Sequence, residues 1–69
     1  MALRALRAKD RLAQALAARP AFAEGWLLLA ALSRETGDLT GGRELAAYAT
    51  SLDPSRADLQ AAARALQEQ

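Results

Sequence analysis

The stretch AEGWLLLAAL, residues 23–32, contains the longest apolar run of this 69-residue chain. It contains the only tryptophan, Trp26, and it directly follows the only phenylalanine, Phe22. A helix that is apolar on nearly all sides must be covered from more than one direction. We therefore expect the rest of the chain to pack around this run.

Composition favours an all-α fold. The sequence contains 19 Ala and 13 Leu but no Val or Ile, so strong helix formers dominate and typical strand residues are nearly absent. It also lacks Cys and His, which excludes disulfide bridges and removes the usual zinc ligands. We expect no cofactor. Because so short a chain buries little surface, association with another chain is the remaining source of stability.

Helix-breaking residues divide the chain into four helices that form one antiparallel domain over residues 1–69. Pro20 and Pro54 each end a helix, because the residue before a proline is disfavoured in the α region. Gly37 is suited to terminate a helix, since glycine readily adopts a positive φ. The expected helices cover residues 3–18, 22–36, 41–52 and 56–67.

Two local features predict how the later helices begin and pack. Ser55 and Asp58 have the spacing of a capping box at the start of the fourth helix. Gly41 and Gly42 lie in the first turn of the third helix, where each glycine costs about 1 kcal/mol relative to alanine. We expect this cost to be offset by a close approach of the second helix.

The spacing from Trp26 to Pro54 resembles the tetratricopeptide repeat, a 34-residue helix–turn–helix unit. Pro20 and Pro54 lie 34 residues apart, which equals one period. The matching residues are Trp26, Leu29, Ala30, Gly37, Asp38, Ala49, Asp53 and Pro54. Four residues depart from the pattern: Ala30 replaces a glycine, Ser33 a tyrosine, Gly42 an alanine and Ala46 an aromatic residue. The resemblance covers one full repeat with half repeats in residues 1–22 and 57–69, and residues 23–30 are also similar to repeats of bacterial c-type cytochrome biogenesis proteins.

This resemblance implies a protein–protein interaction module of the tetratricopeptide type. In that family, the first helix of each repeat lines a groove that binds peptides of a protein partner. The resemblance places the groove of this chain at Glu24, Leu27, Ala31, Arg34, Asp58, Ala61 and Ala65. It does not identify the partner.

Apolar positions also predict a core and a surface for self-association. The expected core consists of Leu12, Leu16, Phe22, Trp26, Leu29, Leu45, Ala49 and Leu52. Repeat proteins bury their apolar faces against neighbouring repeats, and about three repeats are normally needed for stability. The sequence therefore predicts a homo-oligomer, with a two-fold dimer favoured because this symmetry is the commonest. The expected contacts between copies are Leu3, Leu6, Leu59 and Leu66. The alternative is a monomeric helical bundle with ordinary surface leucines.

Catalysis is not expected, because the usual general bases, nucleophiles and metal ligands are missing. Residues 1–19 have a net charge of +4 and the remainder has −3. The stripe Arg4, Arg7 and Arg11 could bind an anionic surface, either nucleic acid or membrane, but no aromatic residues interleave with it. This binding is a less favoured alternative, as is a purely structural self-associating protein. The absence of a membrane-spanning run and of a signal peptide favours the cytoplasm.

Overall fold

The structure, a computed structural model, describes residues 2–68, and for Ala2 and Ala5 it describes the backbone alone. Its four helices are α1 (Ala2–Ala18), α2 (Ala23–Glu35), α3 (Leu39–Leu52) and α4 (Ala57–Glu68). The described residues form no strand, and the predicted all-α helical bundle is confirmed. Each helix begins and ends within two residues of the expected position.

Helices α2 and α3 form an antiparallel pair. Trp26 near the start of α2 contacts Tyr48 near the end of α3, with ring centroids 5.0 Å apart and an edge-to-face angle of 84°. Gly42 near the start of α3 lies against Ala30 and Arg34 in the later part of α2. The expected close approach of the second helix therefore occurs at Gly42.

Small side chains form the centre of the bundle, where α2, α3 and α4 meet. Ala30, Ala46 and Ala63 are buried against one another. Three partly buried leucines surround this cluster: Leu27, Leu45 and Leu66. Because alanine carries a single methyl group, the three helices pack closely at this point.

Hydrogen bonds to backbone groups in the turn between α2 and α3 end the first of these helices and start the second. Gly37 has a φ of +94° and donates its N–H to the Arg34 carbonyl at 3.0 Å, while the Asp38 N–H donates to the Ser33 carbonyl at 2.9 Å. This pair of bonds is a Schellman motif, as expected for glycine after a helix. The Asp38 carboxylate then accepts a hydrogen bond from the Gly41 N–H at 2.9 Å. Because Asp38 caps α3, this helix begins at Leu39, two residues earlier than predicted.

The start of α4 differs from the sequence prediction. The Ser55 hydroxyl hydrogen-bonds Asp53 Oδ1 at 2.8 Å, and the Asp58 carboxylate accepts from Arg56. The predicted capping box is therefore wrong, since both of its side chains have other partners. Helix α4 begins at Ala57, one residue later than expected.

The core is smaller than the sequence predicts. Of the expected core residues, Leu16, Leu29 and Ala49 are buried. Four others are partly buried: Leu12, Trp26, Leu45 and Leu52.

The prediction of a buried Phe22 is wrong, because 43% of this residue is exposed. Phe22 is the N-cap residue of α2, and its ring lies beside Gly25 and 5.5 Å from the Arg19 guanidinium. It covers the junction between α1 and α2 from outside.

One polar side chain lies inside the bundle without a partner. Ser33 is fully buried, and among the described residues its hydroxyl has no hydrogen-bond partner. Leaving a buried hydroxyl unpaired costs about 1–3 kcal/mol. The unpaired hydroxyl of Ser33 therefore lowers the free energy of unfolding.

We expect Ser33→Ala to raise the free energy of unfolding by about 1 kcal/mol, because alanine removes the unpaired hydroxyl and leaves only a small void. Urea denaturation followed by circular dichroism measures the change. The matched control is Ser51→Ala, which removes an exposed hydroxyl that donates to the Tyr48 carbonyl and should change stability by less than about 0.5 kcal/mol. A loss of stability in Ser33→Ala would show that the hydroxyl is bonded in solution.

Candidate protein-binding groove

An apolar groove runs between α2 and α4 and has a volume of about 450 Å³. Its lining residues recur at helical spacing, so each helix contributes one face. Glu24 is the single charged residue among them. The groove is lined by Glu24, Leu27, Leu28, Ala31, Ala62, Ala65 and Leu66.

Helix α3 holds α2 and α4 side by side. Ala46 of α3 belongs to the same buried cluster as Ala30 of α2 and Ala63 of α4. The start of α2 lies near the start of α4, because Glu24 and Arg56 form an ion pair at 2.9 Å. The two helices therefore run in the same direction, and their uncovered faces form the two walls of the groove.

A charged cluster lies at the starts of these helices, and its Glu24 also lines the groove. Arg56 donates to Glu24 Oε1 at 2.9 Å and to both carboxylate oxygens of Asp58, at 2.6 Å and 3.2 Å. The two bonds to Asp58 form the bidentate geometry that arginine favours with carboxylates. All three side chains are substantially exposed, so the cluster positions the helix ends and contributes little to stability.

The same contacts shift the ionisation of the cluster. The hydrogen bonds from Arg56 hold the pKa of Asp58 below its usual value, with the charge of Arg56 and backbone N–H groups acting in the same direction. Asp58, and to a smaller extent Glu24, raises the pKa of Arg56. Both shifts favour the charged forms near neutral pH.

We expect acid to weaken the fold partly through Asp58. Its pKa is lower in the folded chain than in the unfolded chain, so its stabilising contribution is present above the unfolded value of 3.8 and is lost as pH falls through the folded value. Melting temperatures measured between about pH 5 and pH 2 should fall less steeply for Asp58→Asn than for the unsubstituted chain. Asp10→Asn on α1 is the control. Equal slopes for all three proteins would contradict the prediction.

The structure brings together part of the predicted groove. Glu24, Leu27, Ala31 and Ala65 line it. Arg34 lies in an adjoining depression with Ala31, Glu35 and Leu66, while Asp58 belongs to the charged cluster.

Ala61 is exposed and lies outside the groove, so its predicted place there is wrong. Leu28, Ala62 and Leu66 line the groove although the sequence argument did not place them there. Ala62 and Leu66 are four residues apart and share a face of α4, but Ala61 and Ala65 have the same spacing, so the sequence does not distinguish the two faces.

The predicted contacts between copies occupy different environments. Leu3 and Leu6 are 60% and 47% exposed on α1. Leu59 is only 3% exposed, so its prediction as a contact between copies is wrong: α4 turns this side chain inward, as it does Ala63. Leu66 is partly buried, packs against the alanine cluster and lines the groove.

Other kinds of site are not evident in the part of the chain that the structure describes. Arg4, Arg7 and Arg11 are exposed along α1, as a surface stripe requires. Residues 2–68 contain no cluster of three or more acidic or other ligating side chains that could bind a metal ion. None of the helices in this range combines the length and the hydropathy needed to cross a bilayer.

No protein-family model matches the chain, and comparisons with curated proteins and with solved structures find no significant similarity. The groove and the exposed face of α1 are therefore the features from which a function is inferred.

Proposed function

We propose that this chain is a non-catalytic protein–protein interaction module of the tetratricopeptide type, and that it also associates with itself. The observation that carries the proposal is the apolar groove between α2 and α4, bounded at one end by the Arg56 cluster. Helical modules commonly bind apolar side chains of a partner in such a groove.

The chemistry of the groove suits a peptide or helix with apolar anchors. Leu27, Ala31 and Ala65 offer an apolar surface, and Leu28 stands beside it with 55% of its surface exposed. Burying apolar surface contributes about 25 cal/mol per Å² before the costs of association are subtracted. The charged end of the groove fixes the direction of a bound segment, since charged groups contribute mainly specificity.

The arrangement of the helices supports the tetratricopeptide type. Helices α2 and α3 are an antiparallel pair joined by the Gly37 turn, and α4 follows at the position of the next repeat's first helix. The groove thus lies between two first helices, which is where the resemblance predicts a peptide site. Residue Ala46 fills the place of the aromatic residue expected from the pattern, and the close approach at Gly42 compensates for its small size.

Self-association is supported by apolar residues that the described chain leaves uncovered. Leu3 and Leu6 on α1 and Leu28 beside the groove are all about half exposed or more. The two-fold dimer favoured by sequence remains the expected assembly. Binding of anionic surfaces through Arg4, Arg7 and Arg11 has less support, because the described side chains of α1 offer no aromatic group to stack on bases or enter a bilayer.

The proposal is tested by affinity capture with three forms of the chain. Leu28→Glu places a charge in the lining of the groove, whereas the control Leu39→Glu places one at a similarly exposed leucine at the start of α3. We expect the unsubstituted chain and Leu39→Glu to retain the same partner proteins and Leu28→Glu to lose them. Identical capture by all three, combined with a monomeric mass at high concentration, would contradict the proposal. Self-association without any groove-dependent capture would indicate the purely structural alternative.

A further inference from the structure

We propose that the groove of one copy receives helix α1 of a second copy, with Leu3 and Leu6 entering between α2 and α4. This inference rests on the proposed function and names the partner that the groove binds during self-association. It differs from a symmetric pairing of identical surfaces, because each copy contributes α1 to one contact and the groove to another.

The exposed face of α1 has the form of a helix that docks in a groove. Leu3 and Leu6 are separated by one helical turn and share a face with Asp10, Ala13 and Ala17, which are also exposed. Spacings of three and four residues along one face are the anchors by which a helix binds an apolar groove. Leu3 and Leu6 are the large side chains of this face and lie at its N-terminal end, so the first two turns of α1 make the apolar contact.

The groove has the size and composition to accept these two leucines. Its volume of about 450 Å³ exceeds that of two leucine side chains, and its walls are apolar except at Glu24. Leu28 beside the groove and the two α1 leucines are among the most exposed large apolar residues described in the chain. Docking would cover both exposed surfaces in one contact.

Charge complementarity distinguishes this partner from other surfaces of the chain. Helix α1 carries four basic residues and one acidic residue: Arg4, Arg7, Lys9, Arg11 and Asp10. The helices that form the groove, taken with Arg56 at the start of α4, have a slight excess of the opposite charge, since they carry four carboxylates against three guanidinium groups. Opposite charges attract the two surfaces, whereas two α1 helices placed side by side would repel each other.

A contact between two different surfaces has consequences for assembly. It can extend into an open chain or a ring, or two copies can exchange α1 helices reciprocally and form a closed dimer. In each case, one copy with a defective α1 and another with a defective groove retain one intact contact between them. This property provides a direct test.

The test uses two substitutions at residues that are about half exposed, so that each variant can fold. Leu6→Glu disables α1 and leaves the groove intact, while Leu28→Glu disables the groove and leaves α1 intact. Size-exclusion chromatography with light scattering gives the mass of each variant alone and of an equimolar mixture, and circular dichroism confirms the helical fold. We expect the unsubstituted chain to associate and the mixture to form a 1:1 complex. Each variant alone should associate at least about tenfold more weakly than the unsubstituted chain.

Each other outcome overturns the inference in a different way. If Leu6→Glu alone prevents association and Leu28→Glu has no effect, two α1 helices pair with each other. If both variants are monomeric and their mixture also stays monomeric, the interface is not formed by α1 and the groove. An unsubstituted chain that stays monomeric while still capturing proteins through the groove would overturn this inference and the self-association, and would leave the proposed protein–protein interaction module standing. Association that strengthens when salt is raised would contradict the role of charge.

Discussion

Replacing Trp26 with alanine is expected to lower the free energy of unfolding by about 3 kcal/mol, which is near the lower end of the range for buried aromatic residues. Trp26 is partly buried, so the loss should not reach the upper end. A domain of this length has a total stability of about 3–10 kcal/mol. We therefore expect Trp26→Ala to lose between about a third and all of the free energy of unfolding, and to melt at a much lower temperature than the unsubstituted chain.

Trp26 stabilises the bundle through two contacts besides its buried surface. Its ring meets Tyr48 edge to face at 5.0 Å, which connects the start of α2 to α3. Its indole N–H donates to the Pro20 carbonyl at 2.8 Å, which ties the loop after α1 to α2. Loss of the side chain removes both of these contacts.

Trp26→Phe is the control for these two contacts. Phenylalanine keeps much of the apolar surface and can still meet Tyr48, but it cannot donate to Pro20. We expect a loss of about 1–2 kcal/mol, between the unsubstituted chain and Trp26→Ala. Thermal and urea unfolding followed by circular dichroism give the three values. A Trp26→Ala variant that melts cooperatively at the original temperature would show that Trp26 does not hold the helices together.

The helices could be predicted because local residues determine where they end. Pro20, Gly37 and Pro54 act through backbone geometry that does not depend on the tertiary fold. Phe22 shows where such reasoning fails. It lies four residues before Trp26 and would share its face in a helix, but α2 begins after Phe22, so the ring lies outside the bundle.

The groove could be predicted only in part because α4 has no single apolar face. Alanine occupies residues 61–63 and 65, so periodicity alone does not indicate which side faces the bundle. Packing determines the rotation: Leu59 and Ala63 are buried, and Ala62 and Leu66 consequently face the groove. On α2, where larger side chains mark the faces, three of the four predicted groove residues line it: Glu24, Leu27 and Ala31. The fourth, Arg34, lies in the adjoining depression.

The second large effect is expected at Gly42, where α2 and α3 approach each other closely. A Cβ atom on this residue would lie 3.0 Å from the Ala30 carbonyl oxygen and 2.6 Å from Cγ of Arg34. The carbonyl belongs to the backbone of α2 and cannot move independently of that helix. We expect Gly42→Leu to force the helices apart and to lower the free energy of unfolding by about 3 kcal/mol, because overpacking displaces backbone as well as side chains.

Gly42→Ala separates this steric effect from helix propensity. Alanine in a helix interior gains about 1 kcal/mol over glycine, so an unhindered site would become more stable. The contact with the Ala30 carbonyl opposes that gain, and we expect a net loss of about 1 kcal/mol.

Gly25→Ala on α2 is the matched control. Its Cβ would meet only the ends of side chains, Cδ2 of Leu16 and Cδ2 of Phe22, each at 2.7 Å. The half-exposed Phe22 ring can rotate away, so the change in stability should stay within about 1 kcal/mol of zero. A Gly42→Ala variant more stable than the unsubstituted chain would show that α2 and α3 are further apart than the structure places them. The close packing of Ala30 and Ala46, which sets the position of α2 beside the groove, would then need another explanation.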